Sequence, residues 1–162
     1  MRIILFYISL FFCISSYSQD STVFYLIRHA EKDRTDSSNK NPHLNPDGII
    51  RAEKWSQILE KIELDEIYSS PYHRTQETAV SSALKHDLKI TTYEPGKLYS
   101  EQWISLCSGK TILIVGHSNT IPQLVNKLIK TNTFKNIPDD QNGLLFRVEL
   151  GENSPRVEVF QL

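Results

Sequence analysis

The sequence predicts an α/β domain, a three-layer α/β/α sandwich with a mostly parallel central sheet and a C-terminal antiparallel hairpin. Three observations carry that reading. Apolar runs alternate with helical patterns in the order β-α-β-α-β-α-β-α-β-β, which places helices on both faces of a sheet. The runs at 23–27 and 111–115 are continuously apolar, as strands buried on both faces are. The last two runs are joined only by Gly151-Glu152-Asn153-Ser154-Pro155, a turn that folds one strand back on the other.

Taken in order, the first strand is 23–27, five β-branched, aromatic or aliphatic residues in a row. Residues 32–43 are polar, without hydrophobic period, and read as a loop. A helix starts at Asn45-Pro46-Asp47. Asn45 suits the cap, Pro46 the first helical position and Asp47 the positive helix end. Ala52, Trp55, Leu59 and Ile62 follow at spacings of three and four and form one apolar stripe. A second strand covers 66–70 and breaks at Pro71. A helix covers 72–85, with Ala79, Ala83 and Leu84 turned inward, and a third strand covers 88–93. Residues 101–106 form a short helix. The central strand is 111–115, and a helix over 120–129 tolerates Pro122 in its first turn. The hairpin strands are 143–150 and 156–160.

The chain of 162 residues is long enough for one domain with one core. Residues 1–18 do not belong to it. Met1-Arg2 is a short basic start, 3–14 is an apolar run, and Ser16-Tyr17-Ser18 is a small-x-small ending, the layout of a secretory signal peptide. The run is shorter than the roughly 20 apolar residues that span a bilayer. The expectation is an exported protein, periplasmic or secreted, with the domain at 19–162 and no stable membrane anchor once the leader is cleaved. The formal charge is −1, so no basic surplus points to nucleic acid as a partner. Cys13 leaves with the leader, and Cys107 alone makes no internal disulfide. It reads as a buried, inert thiol.

Chemistry-bearing residues gather where apolar runs stop. Arg28-His29 follows the first strand, Arg74 opens the helix after the second, and Gly116-His117-Ser118-Asn119 follows the fourth. In open α/β sheets the carboxyl ends of the strands form the ligand rim. Two guanidiniums and two imidazoles on one rim make an anion pocket, because arginine's planar fork fits phosphate oxygens. Helix amino termini there add backbone donors. His43 and His73 read as solvated or capping residues.

Four motifs stand in order: Arg28-His29-Ala30-Glu31, Leu44-Asn45-Pro46-Asp47-Gly48, Ser69-Ser70-Pro71-Tyr72-His73-Arg74-Thr75-Gln76-Glu77-Thr78-Ala79, and Gly116-His117. In these the sequence resembles the histidine phosphatase superfamily, the phosphoglycerate-mutase-like clan, in its small single-domain branch. The resemblance implies that His29 is the nucleophile and that Arg28, Arg74 and His117 hold the phosphoryl group. A histidine among arginines loses its proton readily, and only the neutral ring is nucleophilic. A phosphohistidine forms and water hydrolyses it, with no metal or organic cofactor.

The proton for the leaving alcohol is the open point. Glu94, at a strand end, is the first candidate acid, although its place beside Pro95 also suits a turn. Glu31, next to the nucleophile, is the second, and otherwise a substrate contact. Ser118 and Asn119 read as substrate contacts or as caps of the following helix. The partner is a small phosphorylated substrate, and the function an exported phosphomonoesterase. The alternatives are a phosphohistidine phosphatase or a phosphate-binding domain without turnover.

Overall fold

The computed structural model describes residues 21–162; the predicted leader at 1–18 lies outside the described residues. Ten elements follow in the expected order: β1 (Thr22–Arg28), α1 (Pro46–Leu59), β2 (Glu66–Ser69), α2 (His73–Lys85), β3 (Ile90–Thr92), α3 (Glu101–Leu106), β4 (Thr111–Gly116), α4 (Thr120–Leu128), β5 (Leu144–Leu150) and β6 (Arg156–Gln161). They form one six-stranded sheet in the order β3-β2-β4-β1-β5-β6. The first four of these strands run parallel, and β5 and β6 are antiparallel.

Alternation along the central strands divides the core in two. Ile112 and Ile114 of β4 face one way with Phe24 and Leu26 of β1, against Ile121, Leu124, Val125 and Leu128 of α4. Leu113 and Val115 face the other way with Ile27, against Trp55 and Leu59 of α1 and Ala79 and Ala83 of α2. Both faces are therefore covered by helices, as continuous apolar strands require. Cys107 is buried in the first of these clusters and unpaired, and burial pushes its thiol up to about 11, which makes it unreactive.

The parallel register is what builds the rim. Arg28 stands beside Gly116, and Ser69 beside Val115, so β1, β2 and β4 end in step. The His29 N–H donates to the Gly116 carbonyl at 2.9 Å, and the Ser70 N–H reaches the Val115 carbonyl at 3.4 Å. His29, Ser70 and His117 thus leave the sheet side by side.

Two local devices fix the helices around them. Asn45 caps α1 by accepting from the Gly48 N–H at 2.8 Å, and Pro46 takes the first position. Gly48 allows that first turn to sit on the backbone of Glu31, two residues after His29: a Cβ there would lie 2.1 Å from the Glu31 carbonyl oxygen. The start of β3 differs from the sequence reading of 88–93. Asp87 takes φ +52°, the Leu88 N–H returns to the Ala83 carbonyl at 3.0 Å, and the Asp87 N–H reaches that of Leu84 at 3.4 Å. This is a Schellman closure with aspartate at the usual glycine position, so Leu88 belongs to the end of α2.

Candidate active site

The residues at the strand ends enclose an open cleft of about 330 Å³. It is lined by Arg28, His29, Lys32, Tyr72, Arg74, Pro95, His117, Ser118, Asn119, Thr120 and Asp139. The amino termini of α2 and α4 border it, since Arg74 lies in the first turn of one and Ser118-Asn119 immediately precede the other. The structure therefore brings together Arg28, His29, Arg74, His117, Ser118 and Asn119. The two imidazole centroids are 5.6 Å apart in an edge-on arrangement.

His29 is 4 % exposed and held from every side. Its Nδ1–H donates to the Ala30 carbonyl at 2.7 Å, its own carbonyl accepts from Asn142 Nδ2 at 2.9 Å, and the next N–H donates to Thr78 Oγ1 at 2.9 Å. With the proton fixed on Nδ1, Nε2 carries the lone pair. Burial, with Arg28, Arg74 and His117 nearby, lowers the ring's pKa to about 3 against the opposing pull of the Ala30 carbonyl. The ring is neutral at physiological pH.

His117 is fixed by a hydroxyl chain. Thr75 Oγ1 donates to the carbonyls of Ser70 and Tyr72, both at 2.9 Å. Having spent its only proton, it accepts from Ser70 Oγ at 2.8 Å, and Ser70 Oγ in turn accepts from His117 Nε2–H at 2.9 Å. Polarity along the chain leaves the lone pair on Nδ1. Burial, then Arg74 and Arg28, lowers this ring to about 4. Ser70 and Thr75 are fully buried, and Thr75 also ties the first turn of α2 to the end of β2.

The arginines play unequal parts. The Arg28 side chain is 2 % exposed and anchored on the segment before β5. It donates to the carbonyls of Pro138 (2.8 Å), Asp139 (3.2 Å) and Gln141 (3.3 Å), and to Asp139 Oδ1 at 2.6 Å. Arg74 has no carboxylate partner among the described residues. Its guanidinium lies 4.5 Å from the centroid of the Tyr72 ring, and burial with Arg28 nearby lowers its pKa. Arg28 Nε and Arg74 Nε and Nη1 are buried donors without any acceptor. Buried donors are satisfied in nearly all folded proteins, so these are open to the oxygens of an anion at this place in the cleft.

Neither expected carboxylate faces that place. Glu31 is bound to Arg51 through three contacts of 2.6–2.9 Å. Burial pulls its pKa up, but Arg51 outweighs it and keeps the group ionised. The expectation of Glu31 as acid or substrate contact is corrected, because its charge is spent on α1. Glu94 is 66 % exposed and ion-paired to Lys97 at 2.9 Å, and only its neighbour Pro95 reaches the cleft. The carboxylate that does line the cleft is Asp139, which sequence reasoning missed. It bridges Arg34 (2.8 Å) and Arg28 (2.6 Å), and these hold its pKa well below the usual range, in the wrong state for an acid.

Comparison with known proteins bears on this geometry. The sequence model of the histidine phosphatase superfamily (branch 1) matches residues 24–95. No curated protein matches by sequence. Among solved structures, the protein histidine phosphatase SixA in complex with tungstate superimposes with a TM-score of 0.67 at 17 % identity, over 86 % of this chain and 96 % of that one. Phosphoserine phosphatase from Entamoeba histolytica, in complex with 3-phosphoglyceric acid, gives 0.65 at 20 % identity over 86 % and 96 %. A mycobacterial glucosyl-3-phosphoglycerate phosphatase gives 0.63 at 13 % over 87 % and 98 %.

Proposed function

On the premise that this chain has the histidine phosphatase fold and, over 24–95, that superfamily's sequence pattern, we propose that it hydrolyses small phosphomonoesters through a phosphohistidine on His29. The observation that carries the reading is the set of buried, acceptor-less donors of Arg28 and Arg74 beside an imidazole whose Nε2 holds the lone pair. Nε2 attacks phosphorus, the P–O bond to the leaving group breaks, and the arginines offset charge on the three equatorial oxygens. Water then cleaves the N–P bond.

His117 supplies the proton that neither Glu31 nor Glu94 is placed to give. In the empty cleft it is neutral; a substrate dianion beside it favours the imidazolium, whose Nδ1–H then faces the phosphoryl or leaving oxygen. An imidazolium is a modest acid for an alkoxide, so phenolic and other good leaving groups react faster than simple alkyl phosphates. Lys32 at the cleft wall suits a substrate with a second negative charge. Export of the mature chain, read from residues 1–18, is part of the proposal.

The test is phosphate release from p-nitrophenyl phosphate and a panel of phosphorylated metabolites, with acid-quench detection of a phosphoenzyme. We expect turnover and an acid-labile adduct. Vanadate binding without turnover would instead make the domain a phosphate binder.

Ser70→Ala isolates the hydroxyl chain. Without the Ser70 acceptor, His117 loses its single tautomer, visible as averaged imidazole nitrogen shifts in NMR. Phosphate release falls about 10- to 100-fold, as when an outer partner of a catalytic histidine is lost. Ser70→Thr restores the acceptor and part of the rate. An unchanged His117 spectrum in Ser70→Ala would exclude the chain as the orienting device.

A further inference from the structure

At the amino terminus of α2, outside the lining of the cleft, three metal-ligating side chains meet without a role in the proposed reaction. His43 ends the 32–43 loop, and His73 and Glu77 lie four residues apart on one face of α2. One ligand atom from each lies within 4.8 Å of the other two. We propose that His43, His73 and Glu77 form a site for a borderline transition dication such as Zn²⁺, which clips the loop to α2. This site is independent of the phosphatase reading.

The positioning is already in place. Glu77 Oε2 accepts from the Leu44 N–H at 2.8 Å, which leaves Oε1 against His43 Nδ1. The His73 N–H donates to Asn41 Oδ1 at 2.9 Å, a second tie between the same two segments. The His43 and His73 rings are stacked, with centroids 4.2 Å apart and planes inclined by 12°. The backbone carrying each ligand is thus fixed, while the rings themselves are exposed and have room to change rotamer.

The donor set is two imidazole nitrogens and a carboxylate oxygen, which selects zinc and its neighbours over magnesium and calcium. At bond lengths of about 2.0–2.2 Å, ligand atoms of a tetrahedral site lie roughly 3.3–3.5 Å apart. The three ligand atoms, within 4.8 Å of one another, reach that spacing as the two rings splay from their stack and His43 Nδ1 exchanges its direct contact with Glu77 Oε1 for a shared metal ion. Water completes the coordination on the exposed side. Tyr72 and Arg74 flank His73 and line the cleft, so the clip also stiffens one wall of it.

The test is calorimetric titration of ZnCl₂ into the chelator-treated full chain, followed by thermal melts. The expected result is one equivalent bound at micromolar or tighter affinity, with a raised melting temperature. Affinity drops at least about tenfold in His43→Ala, His73→Ala and Glu77→Gln, and the melting shift disappears in the His43→Gln/His73→Gln double variant. Because His29 and His117 are a second possible pair of ligands, His29→Ala serves as the control and keeps the equivalent. No binding at micromolar Zn²⁺, or binding that survives the double variant, would overturn the proposal.

Discussion

His29→Ala is expected to lower phosphate release by at least about 10⁴-fold and to abolish the acid-labile phosphoenzyme, because the other imidazole of the cleft, His117, is tied to Ser70 and acts as proton donor in the same step. Retained turnover would sink the assignment of the nucleophile. The same variant reports on the ring's proton. In the folded chain His29 titrates at about 3, below the 6.5 of an unperturbed histidine. Between those values the unfolded chain binds a proton that the native chain does not. The contribution is therefore full above pH 6.5 and is lost as the pH falls toward 3. His117, lowered to about 4, acts in the same direction. Stability of the parent chain should fall with acidification through this window. In His29→Ala the fall is shallower by one proton's slope, which denaturant titrations at stepped pH would measure.

What the sequence made legible was the part written in local pattern. The unbroken apolar runs of β1 and β4 marked central strands, and residues at their ends had to reach one rim once the strands ran parallel. Arg28, His29, Arg74 and His117 could be found for that reason. Asp139, Asn142 and the carbonyls of Pro138 and Gln141 could not. They lie in an aperiodic connection between α4 and β5, more than a hundred residues from Arg28, and only the pairing of β5 with β1 carries them to the cleft. The carboxylate assignments failed for a related cause. That Glu31 and Glu94 lie close in sequence to the rim says nothing about which cation claims the side chain, and each is claimed by one outside the cleft, Arg51 and Lys97.

The two arginines should part company when each is replaced by alanine. Both variants are expected to lose about 10²–10³ in phosphate release, as when a donor to a developing oxyanion is removed. Arg28→Ala also strips the 138–141 segment of its four contacts with Nη1 and Nη2 and leaves a void beneath it, at a cost of about 2–4 kcal/mol in stability. Arg74→Ala removes a cation that has no carboxylate partner and faces Arg28 and Lys32, so the apo protein should melt within a few degrees of the parent or above it. A half-buried positive charge kept without a partner lowers stability somewhat unless a ligand supplies the counter-charge. Phosphate or vanadate should accordingly raise the melting temperature of the parent and leave Arg74→Ala nearly unmoved. If Arg74→Ala instead destabilised the apo chain as much as Arg28→Ala, the guanidinium would belong to the scaffold, and the unpartnered donors could no longer be assigned to an anion.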